Sequence, residues 1–166
     1  MVAKADLQFA GEFLVEECKI VSTTGQVYDI NDIVEEINIF ENIYTATVSG
    51  DIVIKDTTNI VQNLPIIGEE RLILKIQTPQ STPKPETTVD YTRSPMIIYK
   101  INAQYGEGET SQIVSLQFGS LEGIRNTTSR ISQSYSGQPS EIVEKILRDE
   151  SYLKSKKTFY FEPTAN

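Results

Sequence analysis

The most regular pattern in the chain lies between residues 44 and 55. Ala46, Val48, Gly50, Ile52 and Ile54 fall on one face, and Thr45, Thr47, Ser49 and Asp51 on the other. That is the period of two that a half-buried β-strand imposes. Gly50 in mid-strand predicts a bulge or bend, which lets a long strand curl around a barrel. Shorter signals predict further strands over residues 12–21, 26–28, 71–77, 96–105 and 110–118. Residues 29–40 fit two periods at once. Ile30, Ile33, Val34 and Ile37 keep helical spacing, while Ile37 and Ile39 alternate. Their β-branched side chains favour a strand.

The connections are legible as well. Residues 56–62 read as a helical turn or loop, and Gly68-Glu69-Glu70 as a turn into the next strand. Residues 78–95 hold four of the seven prolines and almost no aliphatic side chains, which predicts an exposed loop. Gly106-Glu107-Gly108-Glu109 joins the last two strands as a hairpin turn. After Gly119 the pattern changes. Residues 120–126 predict one helical turn, and residues 129–135 a short extended polar segment. Pro139 suits a first helical position and Glu141 the positive end of a helix dipole. Ile142, Val143, Ile146 and Leu147 then form one apolar stripe that must be covered. The fold class expected is mainly β (β+α): an antiparallel barrel or sandwich with one or two short helices.

Composition narrows the chemistry. The 166 residues include no histidine, no tryptophan and one cysteine, with 23 acidic against 15 basic residues and a net charge of −8. Without histidine there is no Ser–His or Cys–His dyad and no imidazole metal site. One cysteine rules out an internal disulfide or a thiolate zinc site. The acidity argues against direct binding to nucleic acid or an anionic membrane. Asp29, Asn31, Asp32, Glu35 and Glu36 form the densest acidic cluster. An EF-hand loop counted from Asp29 places Val34 where glycine is required, so this is a solvated strand face. Gly106-Glu107-Gly108 precedes a strand rather than a helix and is no phosphate cradle. Cys18, between Glu17 and Lys19, reads as a structural thiol. No catalytic residue, metal ligand or cofactor is assigned, and the chain is not expected to be an enzyme. The first residues lack a signal-peptide core, so synthesis in a cytoplasm is expected.

Two features are left over for a subunit or partner interface. The polar segment Ser129, Arg130, Ile131, Ser132, Gln133, Ser134 and Tyr135 has little to bury, and would suit an edge strand added to a neighbour's sheet. The stripe carrying Ile142 and Ile146 can lie on the chain's own barrel or on a partner, and the sequence leaves both open.

Two blocks carry a resemblance to a known family. Between residues 36 and 79, an acidic residue with a nearby tyrosine is followed by Gly50-Asp51-Ile52. Then come Asp56-Thr57-Thr58-Asn59 and Gly68-Glu69-Glu70 before an alternating strand. The second block runs Ser120-Leu121-Glu122, Ile124-Arg125-Asn126, Arg130-Ile131-Ser132, Ser140-Glu141-Ile142-Val143 and Ile146-Leu147. Together they resemble the N-terminal part of the baseplate or tail hub proteins of contractile-tailed bacteriophages, with its tail-tube-like β-barrel domain.

The resemblance implies a barrel domain over residues 1–118. Residues 119–166 would supply an extended segment plus helix, connecting towards a possible second domain. It also implies a structural hub subunit that joins the tail tube to the central spike and lines the DNA channel. Such a subunit would be a homotrimer, with the tail tube protein and the central spike protein as partners and DNA passing without specific binding. It would sit in the virion baseplate, having been made in the host cytoplasm. Hubs of this kind are usually longer, so the end at Asn166 is expected to fall within a connection. The alternative is a β-sandwich binding module of a tail accessory protein that recognises a receptor or glycan through the 78–95 loop.

Overall fold

The computed structural model describes residues 13–45, 47–57, 60–64, 66–78, 88–107 and 111–164. Eight strands form one antiparallel sheet: β1 (Leu14–Val21), β2 (Val27–Asp29), β3 (Val34–Phe40), β4 (Ser49–Asp56), β5 (Glu70–Gln77), β6 (Thr88–Asp90), β7 (Met96–Glu107) and β8 (Ser111–Gly119). Their order across the sheet is β2-β1-β5-β7-β8-β4-β3, with β6 also paired to β5. The described residues also form three α-helices: α1 (Ile60–Asn63), α2 (Leu121–Thr128) and α3 (Pro139–Arg148). The fold is therefore mainly antiparallel β with short helices.

A single apolar core lies on one face of the sheet, built from Cys18 and Ile20 of β1, Ile52 and Ile54 of β4, Leu72 and Leu74 of β5, Ile98 of β7, and Val114, Leu116 and Phe118 of β8. Along β4 burial alternates residue by residue, as the period of two requires. A 3-10 turn at Asn31–Ile33 touches both β1 and β4. Its preceding residue, Ile30, is fully buried, and its N–H donates to the Cys18 carbonyl at 3.0 Å. The two ends of the sheet thus meet over a shared core, although no ladder joins β2 to β3 among the described residues.

The structure corrects several expectations. The strand expected from residue 44 starts at Ser49, because Asn42 folds the chain into a turn. Its side-chain oxygen accepts the Tyr44 N–H at 2.8 Å and its carbonyl the Thr45 N–H at 3.1 Å. Gly50 is not a bulge: β4 keeps regular register through it with both Ile39 and Phe118. The irregularity sits on the neighbouring strand, between Val34 and Glu36 of β3. Residues 29–40 are not one strand but the 3-10 turn followed by β3.

Of the loop expected over 78–95, residues 79–87 lie outside the described residues. Residues 88–90 form β6 instead of loop, since Thr88, Val89 and Asp90 pair with Gln77, Ile76 and Lys75. β6 and β7 lie on the same edge of β5. The segment between them, turned by the Thr92 N–H donating to Asp90 Oδ1 at 2.9 Å, is a bulge in an otherwise continuous ladder. Gly108 and Glu109 of the expected hairpin turn also lie outside the described residues.

Candidate functional site

The candidate interface follows α2. Ser120 opens this helix: its Oγ accepts the Gly123 N–H at 3.2 Å and its own N–H donates to the Val48 carbonyl at 3.0 Å. That cap fixes α2 against the start of β4. Ser129 ends the helix in extended conformation, and Gln138, also extended, precedes α3. Among the described residues, the backbone of residues 130–136 makes no backbone hydrogen bond. All of them except Tyr135 are exposed. The segment expected to be extended and polar is therefore open to solvent and unpaired with the chain's own sheet.

Tyr135 is the residue that links the two halves of the candidate interface. Its hydroxyl lies 2.6 Å from Gln133 Nε2 and also meets Tyr152. Lys145 of α3 stands over its ring, 5.9 Å from the centroid. Ile142 and Ile146 are half-buried, while Val143 is 46% exposed. α3 buries no residue completely. It is tied to the chain's own final segment rather than to the sheet. The Ser155 N–H donates to the Leu147 carbonyl at 2.8 Å, and the Arg148 guanidinium stacks 5.3 Å from the Phe159 ring centroid.

That final segment builds a second feature, which reading along the sequence missed. An open groove of about 650 Å³ runs between the β6–β7 connection, the start of α2 and residues 154–157. Six cations line it: Arg71, Arg93, Arg125, Lys154, Lys156 and Lys157. Only the cluster at 154–157 is contiguous; the others come from positions far apart in sequence, so no local pattern reveals the set.

The wall is firmly held. Arg125 Nη1 donates to the carbonyls of Leu153 and Lys154 at 2.9 and 3.3 Å. Buried Ser155 donates its hydroxyl to Glu122 Oε1 at 2.6 Å, and Lys157 pairs with Glu122 Oε2 at 3.0 Å. Burial alone would push the Glu122 carboxyl up. The Ser155 hydroxyl, the helix-start amide and the Lys157 ammonium together outweigh it and hold the group below the usual carboxylate range. Lys154 has φ +45°, a left-handed conformation costly for a side-chain-bearing residue.

The remaining sequence candidates resolve simply. Cys18 is fully buried in the core, and burial, with a smaller contribution from Asp29, pushes its thiol up to about 12. Asp29 Oδ1 accepts the Asn31 N–H, and Glu36 accepts from Asn38, so these carboxylates serve local turns and side chains. Glu70 is buried, and its two carboxylate oxygens accept the Ile67 and Gly68 N–H groups at 3.0 Å each. The Gly68-Glu69-Glu70 turn thus closes on its own carboxylate. No helix among the described residues is long and apolar enough to cross a membrane.

No family model matches the chain, and no curated protein matches it. Among solved structures, it is similar to a chain of the lidded PdpA–VgrG complex of Francisella, at 14% identity and a TM-score of 0.42. The match covers 77% of this chain and 18% of that one. A chain of the lidless PdpA–VgrG complex matches with the same identity, TM-score and share of this chain, and 23% of its own length. The chain thus spans less than a quarter of either matched chain.

Proposed function

We propose that the chain is a structural subunit of a phage-type tail baseplate hub, joining the tail tube to the central spike and lining the DNA channel. The observation that carries this reading is the order of the elements. Strand β4 with its mid-strand glycine is followed by short α1, the glycine turn at Gly68 and strand β5. After the sheet come α2, an open polar segment and α3. This is the succession that the hub-like blocks imply.

The role asks for no catalytic group, and the subunit acts as a scaffold. It works as a homotrimer within the virion after synthesis in the host cytoplasm, with residues 129–135 and the Ile142/Ile146 stripe at its contacts. The unpaired backbone of residues 130–136 supports that placement, because open N–H and C=O groups are ready to pair with a neighbour's strand. Gold-labelled antibody on purified tailed particles tests the reading by electron microscopy. Label at the baseplate is expected; particles that lack the protein contradict it.

A further inference from the structure

The groove beside α2 carries a charge opposite to that of the chain. Its six cations face two carboxylates, Glu69 and Glu122, which leaves a surplus of four positive charges in a chain whose total is −8. The rest of the chain therefore carries twelve net negative charges. Such a concentration of one sign in a concave site focuses the field and attracts the opposite charge.

Part of this charge is already committed. Lys157 pairs with Glu122, Lys154 with Glu150 at 3.3 Å, and Arg125 with two backbone carbonyls. Arg71, Arg93 and Lys156 are exposed and take part in none of the ion pairs among the described residues, although Arg93 is near enough to Asp90 to help lower its carboxyl. Pro95, Ile97, Leu121 and Ile124 supply the apolar part of the lining, all half-buried or buried. The site thus offers exposed cations outside any ion pair together with apolar side chains, a combination that the lysine run at 154–157 does not reveal.

We infer that this groove docks an acidic peptide segment of a partner protein, its carboxylates on Arg71, Arg93 and Lys156 and an apolar side chain on Ile97 and Leu121. The chemistry favours carboxylates borne by peptide over phosphates borne by nucleic acid. A guanidinium pairs bidentately with carboxylate and phosphate alike, so the arginines do not choose between them, and the apolar lining and the surrounding charge decide. The apolar side chains of the lining gain nothing from a sugar-phosphate chain, whereas a Leu or Val between two acidic residues would cover them. A nucleic acid long enough to bind would also run off the groove onto a surface that is net negative and repels it. The inference stands on the groove alone and holds whether or not the chain belongs to a tail hub.

The test is fluorescence anisotropy with the full chain and a labelled peptide of alternating Glu and Leu. A peptide with Gln in place of Glu and a single-stranded oligonucleotide serve as comparison probes. Arg71→Glu and Arg93→Glu, together and singly, reverse rim charges that the fold does not use. Lys100→Glu, an exposed cation outside the groove, changes net charge as much as either single reversal. Circular dichroism melts establish that each variant is folded.

The acidic peptide is expected to bind in a salt-sensitive manner and the Gln peptide not to bind. The double reversal should weaken binding by about tenfold or more, with Lys100→Glu unchanged. Absence of peptide binding by the unaltered chain overturns the inference. So does equal weakening by Lys100→Glu, or tighter binding of the oligonucleotide through the same arginines. Self-association that disappears in the double reversal, without peptide binding, would assign the groove to a second copy and overturn it too.

Discussion

Gly50 shows how one residue sets the spacing of the sheet. A Cβ there would run into the Asn38 carbonyl oxygen and the Phe118 ring, so the hydrogen atom is what lets β3, β4 and the core aromatic pack together. Gly50→Ala should destabilise the chain by about 1–3 kcal/mol through overpacking, read as a lower denaturant midpoint.

Glu70 holds a turn in a similar way. Glu70→Ala removes the acceptor of two part-buried N–H groups, one of them on exposed Ile67, and is expected to cost about 1–2 kcal/mol. Glu70→Gln, which keeps one carbonyl oxygen, should cost less.

Cys18 contributes through its proton. The folded thiol ionises near 12, against an ordinary 9.0. Above pH 9 the unfolded chain therefore loses a proton that the folded chain keeps. Stability should fall with rising pH between those values, by up to about 1.4 kcal/mol per pH unit from this group. Cys18→Val should remove that component of the slope in denaturant titrations at pH 8 to 10, taken as about one unit either side of the free thiol's value.

At the scale of elements, the pairing of α2 with the final segment depends on Glu122. Its folded-state carboxyl titrates below the unfolded value. The contact to Ser155 and Lys157 is therefore fully present above the usual Glu range and is lost as pH falls through the lowered value. Amide protection at residues 154–157, corrected for the intrinsic pH dependence of exchange, should fall on acidification below the usual Glu range, and should already be low at neutral pH in Glu122→Gln.

The strands that alternate cleanly, β4 and β5, were legible because burial on one face writes a period of two into the sequence. β6 was not, since three residues amid prolines carry too short a pattern, and its pairing comes from the long-range partner β5. The turn before β4 escaped for a related reason. Tyr44 and Thr45 have strand-forming side chains, but the local bonds to Asn42 decide their backbone. α3 announced itself by its stripe, while the surface that holds it, the chain's own last segment, has no sequence signature.

For the whole molecule, charge and open backbone are the properties that matter. The sequence total of −8 conceals a basic groove beside α2, because tertiary contacts alone gather arginines from positions 71, 93 and 125. Elsewhere the sheet exposes large apolar groups at the β3–β4 tip, where Ile43 is 92% and Tyr44 88% exposed. Together with the open segment at 130–136, these are the surfaces that neighbours would cover under the proposed hub role. Ile43→Asp with Tyr44→Ser should leave the melting temperature nearly unchanged, since neither side chain is buried, while weakening assembly.

The most direct check of the hub assignment is the mass of the purified chain in solution by size-exclusion chromatography with light scattering. The account predicts a mass three times that of one chain. A monomer that stays monomeric as concentration rises would contradict it.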